Sequence, residues 1–370
     1  MKKEYLPGLV FLTFLGVFAL LLLVLPKRGY SEREKRYLVT SPQIDAETIR
    51  TASLSQTLEE AAADQFPLRD LFVGVNAYAE LAEGRNTAQD VLMGKDGRLF
   101  AAPAQDTGKL DANLAAVQRF AEQSSARVLL TAIPQAGYIY GDALPALAPP
   151  YDDAQTLAQI GSQIRDAEIL DVSALLAENR DAKSVYYKTD HHLTSYGAYL
   201  VYTRLCEALG LDPMPEDSVT VERCDGFYGT ACSASGYWLT QADEIELWRW
   251  DGDTVVTVEI PENNTVHEGV FFPEHLPGED KYPVYLDGNH ALTHLHNDAA
   301  PEGTLMLVKD SFAHCLSCFL AAHYRDIYLV DLRYYKEPVS DLVTETAADT
   351  VLVLYGNANL LTDSSLVWLR

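Results

Sequence analysis

The chain has 370 residues, of which 48% are apolar, and it carries a formal net charge of −25. This length and composition suffice for one large globular domain or two small ones. A surface this acidic repels phosphate backbones, which argues against nucleic-acid binding, and it also disfavours docking of the folded body on anionic lipid.

The N-terminal segment predicts a transmembrane signal anchor over residues 1–26. Residues 6–26 carry no charged side chain and are rich in Leu, Val and Phe, and a helix of that length spans roughly 30 Å of hydrocarbon. No small-residue cleavage site follows Leu25, so we expect an anchor that stays attached rather than a cleaved signal peptide. Basic residues are more numerous after the span than before it, so charge alone would keep the body in the cytoplasm.

Residues 27–60 predict a stalk, because they are charged and show little apolar periodicity. The remaining residues, 61–370, are predicted to form one large domain. A β-hairpin is expected over 91–100, where the Asp96-Gly97 pair suits a tight turn.

The domain then alternates between short apolar runs and segments of helical periodicity. Strands are predicted over 127–133, 167–171, 305–308, 327–330 and 351–354, and helices over 71–81, 110–122, 154–164, 195–209 and 312–324. This alternation predicts a parallel sheet with helices on both faces. In such sheets ligands bind at the carboxyl ends of the strands, and Ser311 falls just after one of them.

Residues 220–300 have a different character and predict a β-rich insertion. The runs 245–250 and 255–259 flank Asp251-Gly252, which predicts a hairpin between them.

Three residues could supply the nucleophile, base and carboxylate of a serine hydrolase or acyltransferase. Ser311 lies at a predicted strand-to-helix junction, where backbone amides can stabilise an oxyanion. Asp190 and His192 are two positions apart, so in an extended segment both side chains project to one side and His191 faces the other way. The alternative interpretation is an N-cap Ser, a turn Asp and packed His side chains.

Further residues could complete such a site. Gly288 and Asn289 are a candidate oxyanion donor pair, although Gly-Asn also forms ordinary turns. Two His-containing sets have some metal-like character: the first is 190–192, and the second is His290, His294 and His296. Adjacent His side chains rarely share one ion, and apolar residues interrupt the second set, so we predict no metal and no other cofactor.

The five cysteines are an odd number and do not predict a disulfide framework. Cys224 and Cys232 could pair if the body is exported. Cys315 and Cys318 fall one turn apart in a predicted helix, which favours two buried small residues over a redox motif.

Six short segments follow one another in a recognisable order. They are DQFPLRD (64–70), GKDGRLF (94–100), TDHHLT (189–194), FYGTACSASG (227–236), GN (288–289) and KDSF (309–312). Together they resemble the DHHW protein family, which is grouped with the alginate O-acetylation proteins of the SGNH-hydrolase-like class. The chain departs from that pattern at Leu193, where the family name places Trp, and at Asp287, where a Gly is expected.

The resemblance implies a three-layer α/β/α sandwich of SGNH type, anchored in the membrane and facing outside the cytoplasm. It also implies that Asp190, His192 and Ser311 form the catalytic triad, in an order permuted relative to ordinary SGNH esterases. The relatives work beside a multipass membrane acyltransferase, which is therefore an expected partner.

These observations lead to the hypothesis of an exported O-acetyltransferase acting on a cell-envelope polysaccharide. Arg333 would bind an anionic sugar group, or else form a surface salt bridge. Two rival hypotheses remain: a carbohydrate esterase with the same triad, and a non-catalytic protein that binds polysaccharide or scaffolds a synthesis complex. The 21 Tyr residues suit sugar stacking as well as an ordinary core.

Overall fold

The computed structural model describes residues 5–42, 44–45, 48, 50 and 53–370. The start of the predicted anchor and part of the predicted stalk lie outside the described residues. The described chain divides into two compact units, the first comprising Met1–Gln89 with Cys232–Leu239 and the second Asp90–Ala231 with Thr240–Arg370.

The strands are β1 (Tyr30–Ser31), β2 (Arg36–Tyr37), β3 (Thr87–Ala88), β4 (Val91–Met93), β5 (Leu99–Ala101), β6 (Arg127–Ile133), β7 (Glu168–Leu170), β8 (Thr220–Phe227), β9 (Asp243–Arg249), β10 (Thr257–Ile260), β11 (Thr265–Glu268), β12 (Leu292–His296), β13 (Thr304–Lys309), β14 (Asp326–Val330) and β15 (Thr350–Gly356). The helices are α1 (Leu6–Val24), α2 (Leu54–Asp64), α3 (Arg69–Ala82), α4 (Leu110–Gln123), α5 (Ala136–Ile139), α6 (Asp153–Gln163), α7 (Ser173–Asn179), α8 (Ser195–Leu209), α9 (Thr230–Ser235), α10 (Ala313–Leu320), α11 (Val339–Thr346) and α12 (Asn357–Thr362).

The first unit contains α1, the short antiparallel pair β1–β2, and the helices α2 and α3. Helix α1 is long and apolar enough to cross a membrane by length and composition, criteria that a signal sequence near an N-terminus also meets. Asp64 ends α2 and accepts hydrogen bonds from the Arg36 guanidinium and from the Val39 amide. The beginning of the DQFPLRD segment thus ties α2 to β2.

The second unit is built on an eight-stranded sheet in the order β11-β10-β12-β14-β13-β15-β6-β7. The neighbours from β14 to β7 run parallel, as the alternation predicts, and β12, β10 and β11 extend the sheet in antiparallel fashion. The predicted hairpin over 91–100 is confirmed by the antiparallel pairing of β4 with β5, and both Asp96 and Gly97 have positive φ.

The two faces of the sheet bury two separate cores. Along β13, Leu305 and Leu307 belong to one core and Met306 and Val308 to the other, because successive strand residues point to opposite faces. Helices α8 and α10 contribute to the first core, and α4, α6, α11 and α12 contribute to the second. The predicted three-layer α/β/α architecture is therefore confirmed.

The predicted hairpin between 245–250 and 255–259 is wrong. Strand β9 pairs with β8, whereas β10 pairs with β11 and β12 at the edge of the central sheet. Arg249 and Asp253 form an ion pair within the connecting segment, with Nε and Oδ2 2.7 Å apart. The Trp250 indole donates to the Cys318 carbonyl, so the segment is fixed by tertiary contacts instead of closing a two-residue turn.

Candidate active site

Ser311 lies between the end of β13 and the start of α10, at the carboxyl end of a parallel strand. The preceding residue, Asp310, is fully buried and shapes this junction. Its carboxylate accepts hydrogen bonds from the Phe312 amide at 3.0 Å, and from the Gly356 amide and the Asn359 side chain at 2.7 Å each. Burial raises the pKa of Asp310, and these three donors oppose that effect.

Asp190 and His192 lie in a tight loop and not in the extended segment that we predicted. Tyr186 and Leu193 form an isolated antiparallel bridge across the loop, and the Tyr187 amide donates to the His192 carbonyl at 3.2 Å. The Asp190 carboxylate accepts from the His192 amide at 2.8 Å, a local bond that competes with strand pairing.

His191 does not face away from its neighbour, as the extended segment would have required. Its ring centroid lies 3.9 Å from that of His192, and its Nδ1 is 2.6 Å from the Thr230 hydroxyl. The loop therefore presents both imidazoles on the same side.

The structure brings Asp190, His192 and Ser311 into one chain of hydrogen bonds. Asp190 Oδ1 lies 2.5 Å from His192 Nδ1, and His192 Nε2 lies 2.7 Å from Ser311 Oγ. Asp190 and His192 are buried and Ser311 is 9% exposed. Both imidazole nitrogens thus have the neighbours that a general base needs: an orienting carboxylate on one side and a hydroxyl on the other.

The second oxygen of Asp190 is held by Thr230, whose amide and hydroxyl donate at 2.7 and 3.0 Å. Burial alone would raise the pKa of Asp190, but the neighbouring His192 and His191 and these hydrogen bonds outweigh it, and the pKa lies well below its usual range. Gly229 allows this approach, because a methyl group there would lie 2.1 Å from the Asp190 Cβ.

A second carboxylate holds the start of the loop. Asp243 accepts from the Lys188 amide at 2.9 Å, from the Thr189 amide at 2.7 Å and from the Thr189 hydroxyl at 2.6 Å. The Thr189 oxygen in turn accepts from the Gly229 amide at 3.0 Å. Sequence reasoning assigned no role to Asp243 or Thr230, although Thr230 falls in the FYGTACSASG segment.

Two aromatic rings fix the plane of the His192 imidazole. Tyr282 stacks on it with ring centroids 4.0 Å apart and planes 10° apart, and Phe312 approaches by its edge at 5.3 Å. Phe312 follows Ser311 directly, but nothing in the sequence around Tyr282 indicates this contact.

The candidate oxyanion donors are placed differently from each other. Leu286, Asp287 and Gly288 have φ values of 58, 60 and 85°, and the Gly288 amide donates to the Tyr285 carbonyl at 3.3 Å. The Gly288 amide is thus engaged in a turn, which is the alternative that the sequence analysis gave to an oxyanion donor. The side-chain oxygen of Asn289 accepts from an Arg333 Nη2 atom at 2.8 Å, which turns the amide nitrogen the other way.

Arg333 is paired with a buried carboxylate. Its Nε and Nη2 atoms lie 2.9 and 2.6 Å from the two oxygens of Asp331, which is fully buried and also lies 3.4 Å from Lys309 Nζ. Burial raises the pKa of Asp331, but the Arg333 hydrogen bonds and the Lys309 charge outweigh this and lower it. Arg333 thus forms a salt bridge, as one of the two interpretations of the sequence proposed, but its partner Asp331 is buried and not on the surface.

A small cavity of about 110 Å³ adjoins the triad. Its lining includes Asp190, His191 and Phe312 on one side and Ala136 and Gly137 on the other. The enclosed space is suited to a group of a few atoms.

None of the five cysteines, all of which lie in the described part of the chain, forms a disulfide, so the possible pairing of Cys224 with Cys232 does not occur. Cys315 and Cys318 are buried in α10, as the helical interpretation predicts. Asp190, His191 and His192 have ligand atoms within 4.8 Å of one another, but the hydrogen bonds described above already engage them.

His314 makes the stability of the fold depend on pH. It is buried, its Nε2 accepts from Lys309 Nζ at 2.8 Å, and burial together with the Lys309 charge lowers its pKa well below the usual value. The unfolded chain takes up this proton near pH 6.5 and the folded chain does not, so the contribution is complete above about pH 6.5 and is lost as the pH falls.

We therefore expect the free energy of unfolding of His314→Gln to fall less steeply than that of the wild type as the pH is lowered below about 6.5. Unfolding by urea, followed by Trp fluorescence at several pH values between about 7.5 and 5, should show a wild-type slope steeper by up to about 1.4 kcal/mol per pH unit. Gln keeps an acceptor for Lys309 but does not titrate. Equal slopes in the two proteins would contradict a neutral buried His314.

Two family models match parts of this chain. One family model, described as SGNH hydrolase-like domain, acetyltransferase AlgX, matches residues 91–223, and the model of the DHHW proteins matches residues 165–330. The second match contains Asp190, His192 and Ser311. Over residues 165–330 this chain is similar to the DHHW proteins. The resemblance seen in the sequence motifs is confirmed.

Solved structures share the fold of this DHHW-like chain. A DHHW family protein from Eubacterium siraeum superposes with a TM-score of 0.68 at 19% identity, covering 76% of this chain and 95% of that one. PatB1 from Bacillus cereus, in a structure with a sulfonyl adduct, gives a TM-score of 0.63 at 18% identity, covering 76% and 100%. No curated protein sequence matches the chain.

Proposed function

We propose that this chain is a membrane-anchored, exported O-acyltransferase that places acetyl groups on a cell-envelope polysaccharide through Ser311, His192 and Asp190. The observation that carries the proposal is the continuous chain of hydrogen bonds from Asp190 Oδ1 through His192 to Ser311 Oγ. The match of residues 91–223 to a family model described as an acetyltransferase supports acyl chemistry.

The first half-reaction would form an ester on Ser311. His192 Nε2 takes the hydroxyl proton as Ser311 Oγ attacks the carbonyl carbon of the acetyl donor, and Asp190 stabilises the imidazolium that results. The tetrahedral intermediate collapses, its bond to the leaving group breaks, and His192 returns the proton to that group. Asn289 would donate its amide hydrogen to the oxyanion, since Gly288 already donates to a carbonyl.

The second half-reaction would transfer the acetyl group to the sugar. His192 removes a proton from a sugar hydroxyl, whose oxygen attacks the Ser311 ester, and Ser311 Oγ leaves with that proton. Arg333 retains a positive charge for an anionic sugar group, but Asp331 already pairs with it. The role that its contacts support best is to orient Asn289.

The cavity beside the triad has room for an acetyl group. A space of about 110 Å³ next to His191 and Phe312 accommodates the acetyl methyl. Helix α1 would hold the body at the membrane surface, where a multipass acyltransferase could supply the acetyl donor.

The same residues would also support an esterase, since water and a sugar hydroxyl differ only as acceptors. The test is to incubate the full chain, purified in detergent, with 4-nitrophenyl acetate and to measure the intact mass and the released nitrophenolate. We expect a gain of one acetyl group on Ser311, which disappears in Ser311→Ala. Ser317→Ala is the matched control, because that hydroxyl is buried in α10 and donates to the Ala313 carbonyl at 2.7 Å within the same helix.

The acceptor can then be varied. Faster loss of the acetyl group on adding oligosaccharides, with acetyl recovered on sugar, would support the transferase; loss at the same rate in buffer alone would identify an esterase. No adduct and no ester turnover in folded protein would contradict both enzymes and leave the scaffolding role.

A further inference from the structure

We propose that His294, His296 and Asp326 form a binding site for one transition-metal ion, with Zn²⁺ as the favoured occupant. His294 and His296 lie two positions apart on β12, and Asp326 begins the neighbouring strand β14 opposite His296. Alternate residues of a strand share one face, so all three side chains project from the same side of the sheet. Nothing in the proposed acyl-transfer reaction uses them.

The ligand atoms of the three side chains already converge. His294 Nε2 and His296 Nδ1 each lie 2.8 Å from the same oxygen, Asp326 Oδ1. All three ligand atoms lie within 4.8 Å of one another. Two imidazole nitrogens and one carboxylate oxygen are a donor set that Zn²⁺ accepts, with a fourth position left for water.

The outer nitrogen of each imidazole also faces a carboxylate. His294 Nδ1 lies 3.2 Å from Glu259 Oε2, and His296 Nε2 lies 3.2 Å from Asp298 Oδ1. Metal-binding His side chains usually donate their second ring N–H to a carboxylate or a carbonyl, which orients the ring and raises its basicity. Tyr328 stacks on His294 with centroids 4.3 Å apart and so fixes that ring.

An ion would leave the outer contacts of both rings in place. The cluster holds four contacts between imidazole nitrogens and carboxylate oxygens. With the inner nitrogens and Asp326 on the ion, each ring would donate its remaining N–H outward to Glu259 or Asp298.

The position of the site separates the ion from the proposed acyl-transfer reaction. Asp326 is the first residue of β14, whereas Ser311 follows the carboxyl end of the adjacent parallel strand. The two sites therefore lie at opposite ends of the parallel strands. The four residues from Asp326 to the end of β14 by themselves span about 13 Å. The ion would join β12 to β14, where the antiparallel extension meets the parallel sheet.

The test uses the full chain purified in detergent without a histidine tag and stripped of metal with a chelator. Titration with Co²⁺ should give one ion per chain and the intense visible absorption of a tetrahedral site, which Zn²⁺ should abolish. Zn²⁺ should also raise the thermal unfolding midpoint.

The variants His294→Gln and His296→Asn keep a nitrogen that donates to Asp326 but remove the imidazole ligands. Each should weaken Zn²⁺ binding by at least about 100-fold while leaving the metal-free unfolding midpoint unchanged. His290→Gln is the matched control for the first, because His290 also pairs with carboxylates but lies outside the converging set; it should bind Zn²⁺ like the wild type.

A measurement on the wild-type chain tests the site even if one of the variants does not fold. Diethyl pyrocarbonate modification, mapped by mass spectrometry, should show that Zn²⁺ protects His294 and His296 but not His275 or His290. Failure to bind Co²⁺ or Zn²⁺ at one per chain would overturn the proposal, as would protection confined to His191 and His192; the cluster would then be a set of ion pairs with protonated imidazoles.

Discussion

Replacing Asp190 with Asn is expected to slow the acetylation of Ser311 by about 10⁴-fold, the size of effect seen when the orienting carboxylate of a serine triad becomes an amide. The reason lies in the four hydrogen bonds that Asp190 accepts: two from His192 at one oxygen and two from Thr230 at the other. An Asn side chain has one accepting oxygen, so it can keep either the pair of bonds from His192 or the pair from Thr230, but not both.

Either orientation of the new amide is unfavourable. With its nitrogen toward His192, it forces the tautomer that carries the proton on Nε2, which then cannot accept a proton from Ser311. With its nitrogen toward Thr230, the amide places its own N–H against the backbone N–H of Thr230, so two donors face each other. The measurement is the rate of nitrophenolate release under single-turnover conditions, with the far-ultraviolet circular dichroism spectrum compared to confirm folding.

Two further variants sharpen this experiment. Thr230→Val removes the hydroxyl contacts with Asp190 and His191 but keeps the backbone donor to Asp190, so it should slow the reaction by about tenfold or less. Asp111→Asn makes the same chemical change on the surface of α4, where the carboxylate accepts from Gln159 and Gln163, and should leave the rate unchanged. A rate for Asp190→Asn within tenfold of the wild type would contradict the proposed role.

Replacing Asp310 with Ala is expected to destabilise the second unit by about 3–5 kcal/mol. The fully buried carboxylate accepts from two backbone amides and from Asn359, so its removal leaves three donors without partners in the core. The same change releases the junction that carries Ser311, so acetylation should fall as well. Urea unfolding followed by Trp fluorescence measures the first effect.

Asp310→Asn is the matched variant. Asn keeps the shape and one acceptor but opposes its NH₂ group to the Phe312 or the Gly356 amide, so we expect a loss of about 1–3 kcal/mol. We expect the free energy of unfolding to rise from the Ala variant to the Asn variant to the wild type. Because Asn has nearly the shape of Asp, this order tests the hydrogen bonds separately from the packing. If the Ala and Asn variants lower the free energy of unfolding equally, the accepting oxygens of Asp310 do not hold the junction.

Much of the fold follows from local patterns in the sequence. Strand β13 is a continuous apolar run because both of its faces are buried. Helix α8 ends at Leu209 and is capped by Gly210, which adopts the left-handed conformation that Gly tolerates. The predicted helix after Ser311 begins at Ala313 and ends four residues earlier than expected, at Leu320. Such features need only the periodicity of side chains and the preferences of single residues.

Local patterns failed where a long-range partner decided the outcome. The Asp251-Gly252 pair has the chemistry of a hairpin turn, yet β9 pairs with β8, because strand pairing depends on the whole core and not on the turn alone. Asp190 and His192 were expected to align along a strand. Asp243 and Thr230, which are distant in sequence, hold the segment as a loop instead, and within it the His192 amide donates to the Asp190 carboxylate.

The sequence by itself determined the identities of Asp190, His192 and Ser311 as candidates, the order of strands and helices around them, and an apolar segment suited to a membrane. Only the tertiary structure decided that Thr230 and Asp243 hold the His192 loop, that Gly288 donates to a turn, and that Asp331 pairs with Arg333. These decisions are tertiary because a buried polar group must find a partner wherever the fold provides one, at a sequence separation that no local pattern records.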